Sequence, residues 1–287
     1  MVFAFPQLAW TPLDHAELFA GKMAVSLAEM EESRRCASLD LEYGGECMDF
    51  MTNKGFVHAV YTVLRLSPGS SLTLAPVCST WVWMSRGSTK RSKALPLGDD
   101  SAPSVALGNT MVARCALLLF LAAARGIWFV LEQPRGSLLE YHPAMQRVLK
   151  LVRVWRKHVR MGDFAAPTEK GTWLYSSRPE IEELHKFKPK CLPAPQEEVQ
   201  LVDHYVDSRG QKRVKGNRAL KKSQAYTIQF GRALARLRSR HIASVRREAR
   251  QFLRSAAKGD AKPFVVTKDM AFWCKHANLD PVFEFLA

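Results

Sequence analysis

The chain has 287 residues, of which 47% are hydrophobic and 24% charged, a balance that fits a globular, soluble protein and excludes a disordered or low-complexity one. A formal charge of +15 with a pI near 9.8 favours a polyanionic partner, most simply nucleic acid. The six cysteines, at 36, 47, 78, 115, 191 and 274, form no CxxC pair or other metal-ligand spacing; they read as reduced thiols of an intracellular protein, with no metal called for. Met1 to Trp10 lacks the basic and apolar regions of a secretory signal. The longest apolar stretch, Met111 to Leu131, is broken by Arg114, Arg125 and Gly126, so a buried helix followed by a central strand explains it better than a membrane span.

In chain order, His15 to Phe19 predicts a strand, Ala20-Gly21 a turn, and Lys22 to Glu32 a helix with Met23, Leu27 and Met30 on one side. Strand, glycine turn and helix open a nucleotide-type βαβ unit. Cys36 to Asp40 predicts a second strand, ending in a carboxylate about twenty residues after the glycine turn, the spacing of an acid that binds a ribose diol. Asp40 reads equally as a helix cap. Met48-Asp49-Phe50 predicts a third strand end, and Asn53 to Leu66 a helix with Val57, Val60, Val63 and Leu64 as its apolar positions.

The turn signal Pro68-Gly69-Ser70-Ser71 leads into the strand Leu72-Thr73-Leu74 and then to Pro76-Val77-Cys78-Ser79. A cysteine just past a strand end sits where α/β sheets place their ligands, which makes Cys78 a candidate nucleophile; an inert core thiol is the bland alternative. Ser85 to Pro103, rich in Ser, Gly, Lys and Pro, predicts a mobile loop whose Arg86, Lys90, Arg91 and Lys93 either close over an anionic substrate or lie on a solvated surface.

Asn109 to Arg125 predicts the clearest helix, stopped at Gly126, and Ile127 to Leu131 an apolar central strand ending in Glu132-Gln133-Pro134. A carboxylate at the end of a buried strand is costly unless it is paired or used, so Glu132 is the second candidate, with a structural salt bridge as the alternative. Pro143 to Lys157 predicts an amphipathic helix with Met145, Val148, Leu149, Val152 and Trp155 facing the sheet, and Val159 to Phe164 and Thr172 to Tyr175 two more strands. Alternating strands and helices predict an α/β fold with a doubly wound, mostly parallel sheet.

From Pro179 to Asp207 the chain predicts an irregular excursion, and from Arg209 to Lys258 its charge is almost wholly basic. Tyr226 to Ala257 has a helical pattern with Phe230, Leu234, Leu237, Val245, Phe252 and Leu253 inward; such a basic helix would hold phosphates without reading sequence.

These pieces, in this order, resemble the DNA (cytosine-5) methyltransferase family. Glu17-Leu18-Phe19-Ala20-Gly21 is similar to its first motif, which binds S-adenosylmethionine (SAM), Ser38-Leu39-Asp40 to its ribose-binding acidic segment and Met48-Asp49-Phe50 to the segment near the adenine. Pro76-Val77-Cys78-Ser79 resembles the nucleophile motif, Glu132-Gln133-Pro134 the Glu-Asn-Val motif, and Gly162 to Tyr175 the strand pair that follows it. Gly216-Asn217 with Phe230-Gly231-Arg232-Ala233-Leu234 resembles the closing segment that returns to the cofactor. The departures are Met23 and Ala24 in place of glycines, Ser79 in place of glutamine, Lys170 as the one cation where the family carries arginines, and a short region in place of a target-recognition domain.

The resemblance implies a Rossmann-like catalytic domain at 1–178, a short irregular insert at 179–215, a segment completing the fold at 216–240, and a basic helix and tail at 241–287. It implies SAM as cofactor, held by Phe19, Ala20, Gly21, Asp40, Asp49, Pro76 and Asn217. Methyl transfer to C5 of cytosine in DNA would run through a covalent adduct on Cys78, with Glu132 bonded to N3 and the exocyclic amine of a flipped base. Phosphates would be met by Arg86, Lys90, Arg91, Lys170, Arg213, Lys221 and Lys222, and DNA as substrate would imply the nucleus. Two alternatives stand beside this: a degenerate, nucleic-acid-binding methyltransferase-like module, and an enzyme acting on RNA.

Overall fold

The computed structural model describes residues 11–189, 202–217, 220 and 225–257. Six strands form one sheet in the order β2-β1-β3-β4-β6-β5, with β1 Leu13–Leu18, β2 Cys36–Leu39, β3 Leu66–Leu74, β4 Trp128–Pro134, β5 Trp155–Arg160 and β6 Gly171–Ser176. The first four are parallel; β6 runs antiparallel to both β4 and β5. This is the doubly wound, mostly parallel α/β sheet that the alternation of elements predicts, with an antiparallel pair at one edge.

Strand β4 is buried along its whole length, and its alternation divides the core. Phe129 and Leu131 face one side with Ala59 and Val63 of α3 (Asn53–Leu64), Leu118 and Leu119 of α5 (Pro103–Ala124), and Met145 and Val148 of α6 (Pro143–Leu151). Trp128 and Val130 face the other side with Val25 of α1 (Ala24–Glu31) and Phe230, Ala233, Leu234 and Leu237 of the C-terminal helix α7 (Ile228–Ala257). Among the described residues, α5 is the one helix long and apolar enough to cross a membrane; its Val112, Cys115, Leu118, Leu119 and Ala122 lie in the core.

Helix α7 packs on the sheet and is clamped by charge to α1 and to the segment Pro179–Phe187. Its predicted inward positions Phe230, Leu234, Leu237 and Val245 are buried, whereas the side chains of Phe252 and Leu253 lie outside the described residues. Arg232 forms two hydrogen bonds to Glu31, at 2.8 and 2.7 Å, and Arg238 pairs with the buried Glu29 at 3.1 Å. Arg34 also pairs with Glu29. Burial alone would push the Glu29 carboxyl up, but Arg238 and Arg34 outweigh it and hold the group below the ordinary carboxylate range. Arg240 pairs with Glu183, and His241 with Glu180 at 2.7 Å. Several arginines of the basic run are therefore engaged in holding the fold together, a correction to reading the whole helix as a phosphate-binding face.

Other expectations are corrected by local physics. Pro68-Gly69 does not precede β3 but lies inside it as a bulge, where Gly69 takes φ +79° and the register with β1 jumps between Leu13 opposite Leu66 and His15 opposite Ser71. Met48-Asp49-Phe50 is a turn following the 3₁₀ segment Gly45–Cys47, not a strand. Val57, expected inside, is 52% exposed. The helix from Pro143 ends at Leu151, because Val152 adopts extended backbone, and Trp155 opens β5.

The predicted loop from Ser85 to Pro103 contains a 3₁₀ turn, Trp83–Ser85, a short helix α4 (Arg86–Thr89), and a buried anchor at Arg91. Pro179–Phe187, assigned from sequence to an irregular insert, is a 3₁₀ run with Ile181 and Leu184 fully buried in the core beside α7. Beyond it, β7 (Val202–Val206) and β8 (Lys212–Gly216) form an antiparallel hairpin, and α7 runs unbroken across positions 240 and 241.

Candidate functional site

The sheet reverses direction of winding between β1 and β3, and the segments leaving the C-terminal ends of the parallel strands converge there on a cleft with a cavity volume of about 1260 Å³. Phe19 to Lys22 follow β1, Asp40 to Tyr43 follow β2, Ala75 to Ser79 follow β3, and Glu132 projects from β4. Asp49, Phe50, Pro167, Lys170 and Ala225 to Ile228 complete the wall. Cys78, Glu132, Phe19, Ala20, Gly21, Asp40, Asp49, Pro76 and Lys170, chosen from sequence, therefore share one cavity.

The end of the cleft near β1 and β2 is held open by backbone geometry. Phe19 and Gly21 take left-handed φ of 59° and 49°, and the space beside the Gly21 Cα holds no atom within 4 Å. The Gly21 N–H donates to Asp40 Oδ2 at 2.8 Å, while Oδ1 of the same carboxylate caps the short helix α2 (Leu41–Gly44) by accepting from the Glu42 N–H at 3.0 Å. Asp40 is thus a cap, as the plain reading of its sequence position allowed. A carboxylate has about four lone-pair sites, however, so capacity remains for a diol. Asp49 Oδ1 accepts from the Met51 N–H at 2.8 Å, and its backbone is pressed against Gly55, where a Cβ would meet the Asp49 carbonyl oxygen at 2.0 Å. Phe19 and Phe50 meet edge to face, their centroids 4.8 Å apart.

The N-terminus of α1 is already occupied. Glu17, buried at the end of β1, accepts from the Ser26 N–H at 2.7 Å and the Val25 N–H at 3.4 Å. Burial pushes its carboxyl up to about 7 despite these bonds. The amides that would grip a phosphate in a dinucleotide-binding unit are therefore consumed by a side chain. This cleft suits a cofactor without phosphate at that helix, and SAM, which carries none, satisfies that condition together with the ribose-compatible Asp40 and the apolar Leu39, Met48 and Phe50.

At the other end lies the reactive constellation. The segment carrying Cys78 is pinned on both sides: Gln133 Nε2 donates to the Pro76 carbonyl at 3.0 Å, and Trp81, with no exposed surface, lies under the Arg91 guanidinium at 3.5 Å. Glu132, 4% exposed, pairs with Lys170 Nζ at 3.3 Å and is hydrogen-bonded to the Tyr226 side chain. Burial, the Glu132 carboxylate and Cys78 raise the Tyr226 phenol well above its ordinary value. Burial also pushes the Cys78 thiol up; Lys170 pulls it down and Glu132 pushes it up. The arrangement is a thiol beside one carboxylate held by one cation and one phenol.

Two of the phosphate-binding expectations and one of the cofactor-binding ones change. Arg91 is 2% exposed and donates to the Pro96 carbonyl at 2.6 Å, Asn109 Oδ1 at 2.8 Å and the Val105 carbonyl at 3.1 Å, with burial lowering its pKa to about 10. It is a core anchor rather than a surface contact. Lys170 faces Glu132 inside the cleft. Asn217, expected at the cofactor, caps the turn beyond β8 through the Leu220 N–H at 3.2 Å and bonds Asp203 at 3.3 Å; it does not line the cleft. Among the described residues, the segment that returns to the cleft before α7 is Ala225–Ile228. Arg86 and Lys90 are exposed, the side chain of Arg213 is outside the described residues, and so are Lys221 and Lys222. Tyr226 escaped sequence reasoning because a tyrosine ahead of a helix carries no sign of a partner nearly a hundred positions upstream.

No family model and no curated protein matches the chain. Among solved structures it is similar to the Dnmt2 methyltransferase of S. pombe, with a TM-score of 0.39 and 12% identity, over 66% of this chain and 57% of that one. The chain thus spans little more than half the length of that neighbour.

Proposed function

We propose that the protein transfers a methyl group from SAM to C5 of cytosine in nucleic acid, with DNA the acceptor that the order of sequence motifs implies. The observation that carries this reading is the meeting, in one cleft, of Cys78, Glu132 and Lys170 with the Gly21–Asp40 pair and a cofactor end closed to phosphate. Bound SAM would supply an electrophilic methyl group; Gly21, Asp40, Asp49 and Phe50 would hold it.

The protein's own steps follow from electron demand. C5 of cytosine is a poor nucleophile, so the Cys78 thiolate adds to C6, forming a C–S bond and pushing electron density onto C5 and the ring. The Glu132 carboxyl, in its protonated form, gives its proton to N3 and accepts from the exocyclic amine, which neutralises that density, and Lys170 and Tyr226 hold the resulting carboxylate in place. Once C5 is methylated, solvent water takes the C5 proton, and the electron pair of that C–H bond expels the Cys78 thiolate and restores the aromatic ring. A base inside a duplex cannot reach this sulfur, so the target must stand out of the stack.

The test is a covalent trap. Replacing the C5 hydrogen of the target with fluorine blocks the final elimination, so an oligonucleotide bearing 5-fluorocytosine, incubated with the full chain and SAM, is expected to give an adduct stable to denaturation and mapped to the Cys78 peptide. The Cys78→Ser protein is expected to give none; an adduct formed equally by that variant would sink the reading.

A further inference from the structure

Downstream of Cys78 the chain builds a surface that the methyl-transfer chemistry does not use. Trp83 is 61% exposed, whereas Trp81 and Trp128 are buried and Trp155 and Trp173 half-buried. Val77, at the lip of the cleft, is 55% exposed. From Val77 to Gly98 there are four basic residues and no acid, and three of the four, Arg86, Lys90 and Lys93, are exposed.

This surface is rigid. The Trp81 N–H donates to the Cys78 carbonyl at 2.9 Å and the Ser85 N–H to the Val82 carbonyl at 3.1 Å, so Trp83 stands on a wound backbone rather than a loose loop. The fourth base, Arg91, locks that backbone to α5 through Val105 and Asn109 while stacking on Trp81. Gly108 on α5 leaves room for this lock, because a Cβ there would come within 2.7 Å of Thr80 Oγ1 and 3.1 Å of Arg91 Nη2. An indole exposed to water, flanked by cations with no acidic residue between Val77 and Gly98 and five positions along the chain from Cys78, has the chemistry of a stacking platform.

We propose that Trp83 stacks on a nucleobase next to the target and that Arg86 and Lys90 hold the adjoining phosphates, so that the chain takes its substrate as an unpaired strand. The faces of bases in a duplex are covered by their neighbours, so an exposed indole finds its partner on an unstacked nucleotide. An unpaired strand also presents its cytosine to Cys78 without the cost of unpairing. The proposal rests on the nucleic-acid reading above and narrows its substrate class.

The test reads binding, not methyl transfer. Fluorescence anisotropy of an end-labelled, cytosine-containing oligonucleotide, single-stranded and as a blunt duplex of the same sequence, is measured with the full-length wild type and with Trp83→Ala, Trp83→Phe and Arg86→Glu/Lys90→Glu. The exposed position of Trp83 makes its replacement harmless to the fold, which an unchanged melting temperature checks. The single strand is expected to bind tighter than the duplex, Trp83→Ala to weaken single-strand binding about tenfold with little effect on the duplex, and Trp83→Phe to restore most of the loss. The double charge reversal is expected to weaken both and flatten the salt dependence. Single-strand affinity unchanged in Trp83→Ala, equal losses on both forms, or no binding to either form would overturn the proposal. Trp83-dependent binding without any 5-fluorocytosine adduct would instead overturn methyl transfer and leave the platform standing.

Discussion

Cys78, Glu132 and Lys170 can each be picked out in the sequence, but their meeting in one cleft cannot. Pro76 and the end of β3 announce a residue held at the mouth of a sheet, but the thiol's reactivity depends on Lys170 and Glu132, which reach it from β4 and the segment before β6. Burial holds the thiol above its ordinary value, Lys170 pulls it down and Glu132 pushes it up. Removing the carboxylate therefore lowers the thiol pKa and raises the thiolate fraction at a fixed, mildly alkaline pH. Glu132→Gln is expected to speed iodoacetamide labelling of Cys78 by about three- to tenfold, and Lys170→Gln to slow it by a similar factor, as a single charge a few ångströms away would. Peptide mapping across a pH series checks this: the labelling curve shifts to lower pH in the first variant and to higher pH in the second. Absent or opposite shifts would show that Glu132 and Lys170 do not act on the sulfur as described.

The segment leading into α7 brings Tyr226 to the cleft and the first residue of the helix, Ile228, also lines it, so the seat of α7 on α1 fixes where both stand. The contact is close enough that a Cβ on Gly231 would meet the Ala24 carbonyl oxygen at 2.1 Å. Two effects oppose each other in Gly231→Ala. Helix propensity favours alanine by about 1 kcal/mol, whereas forcing a methyl into packed backbone costs about 1–3 kcal/mol and also strains the Arg232–Glu31 and Arg238–Glu29 pairs. The clash is expected to win, lowering the melting temperature by about 2–6 °C in differential scanning calorimetry; a rise would mean that α7 is not seated against α1 as described.

Elements were legible where one period dominated. The apolar run before Glu132 gave β4, and the spacing of Phe230, Leu234 and Leu237 gave α7's inner face. They were not legible where long-range contacts decided. Val152 and Trp155 continue a helical pattern, yet pairing with β6 draws Trp155 into β5. Arg91 in a polar stretch carries no sign that Trp81 and α5 will bury it.

At the scale of the molecule, the sheet order brings the ends of four strands to one switch point, where three further segments close the cleft, and that convergence is what the order of motifs predicted without any single motif being specific. The closing segment was placed too early, at Asn217, because Gly216-Asn217 ends a hairpin whose pairing with β7 cannot be seen in sequence. The overall basic charge pointed to a polyanion, but charge alone could not separate the arginines that hold α7 against Glu29, Glu31 and Glu183 from those that face water. On the function proposed above, the glycine turn and Asp40 hold SAM. The most direct test of this is isothermal titration calorimetry of SAM into the full-length wild type and an Asp40→Ala variant, with circular dichroism to show that both are folded. Saturable one-to-one binding to the wild type is expected, with a loss of about tenfold or more in the variant, the size of one charge-assisted hydrogen-bonding partner removed. A folded wild type that takes up no SAM would contradict that function.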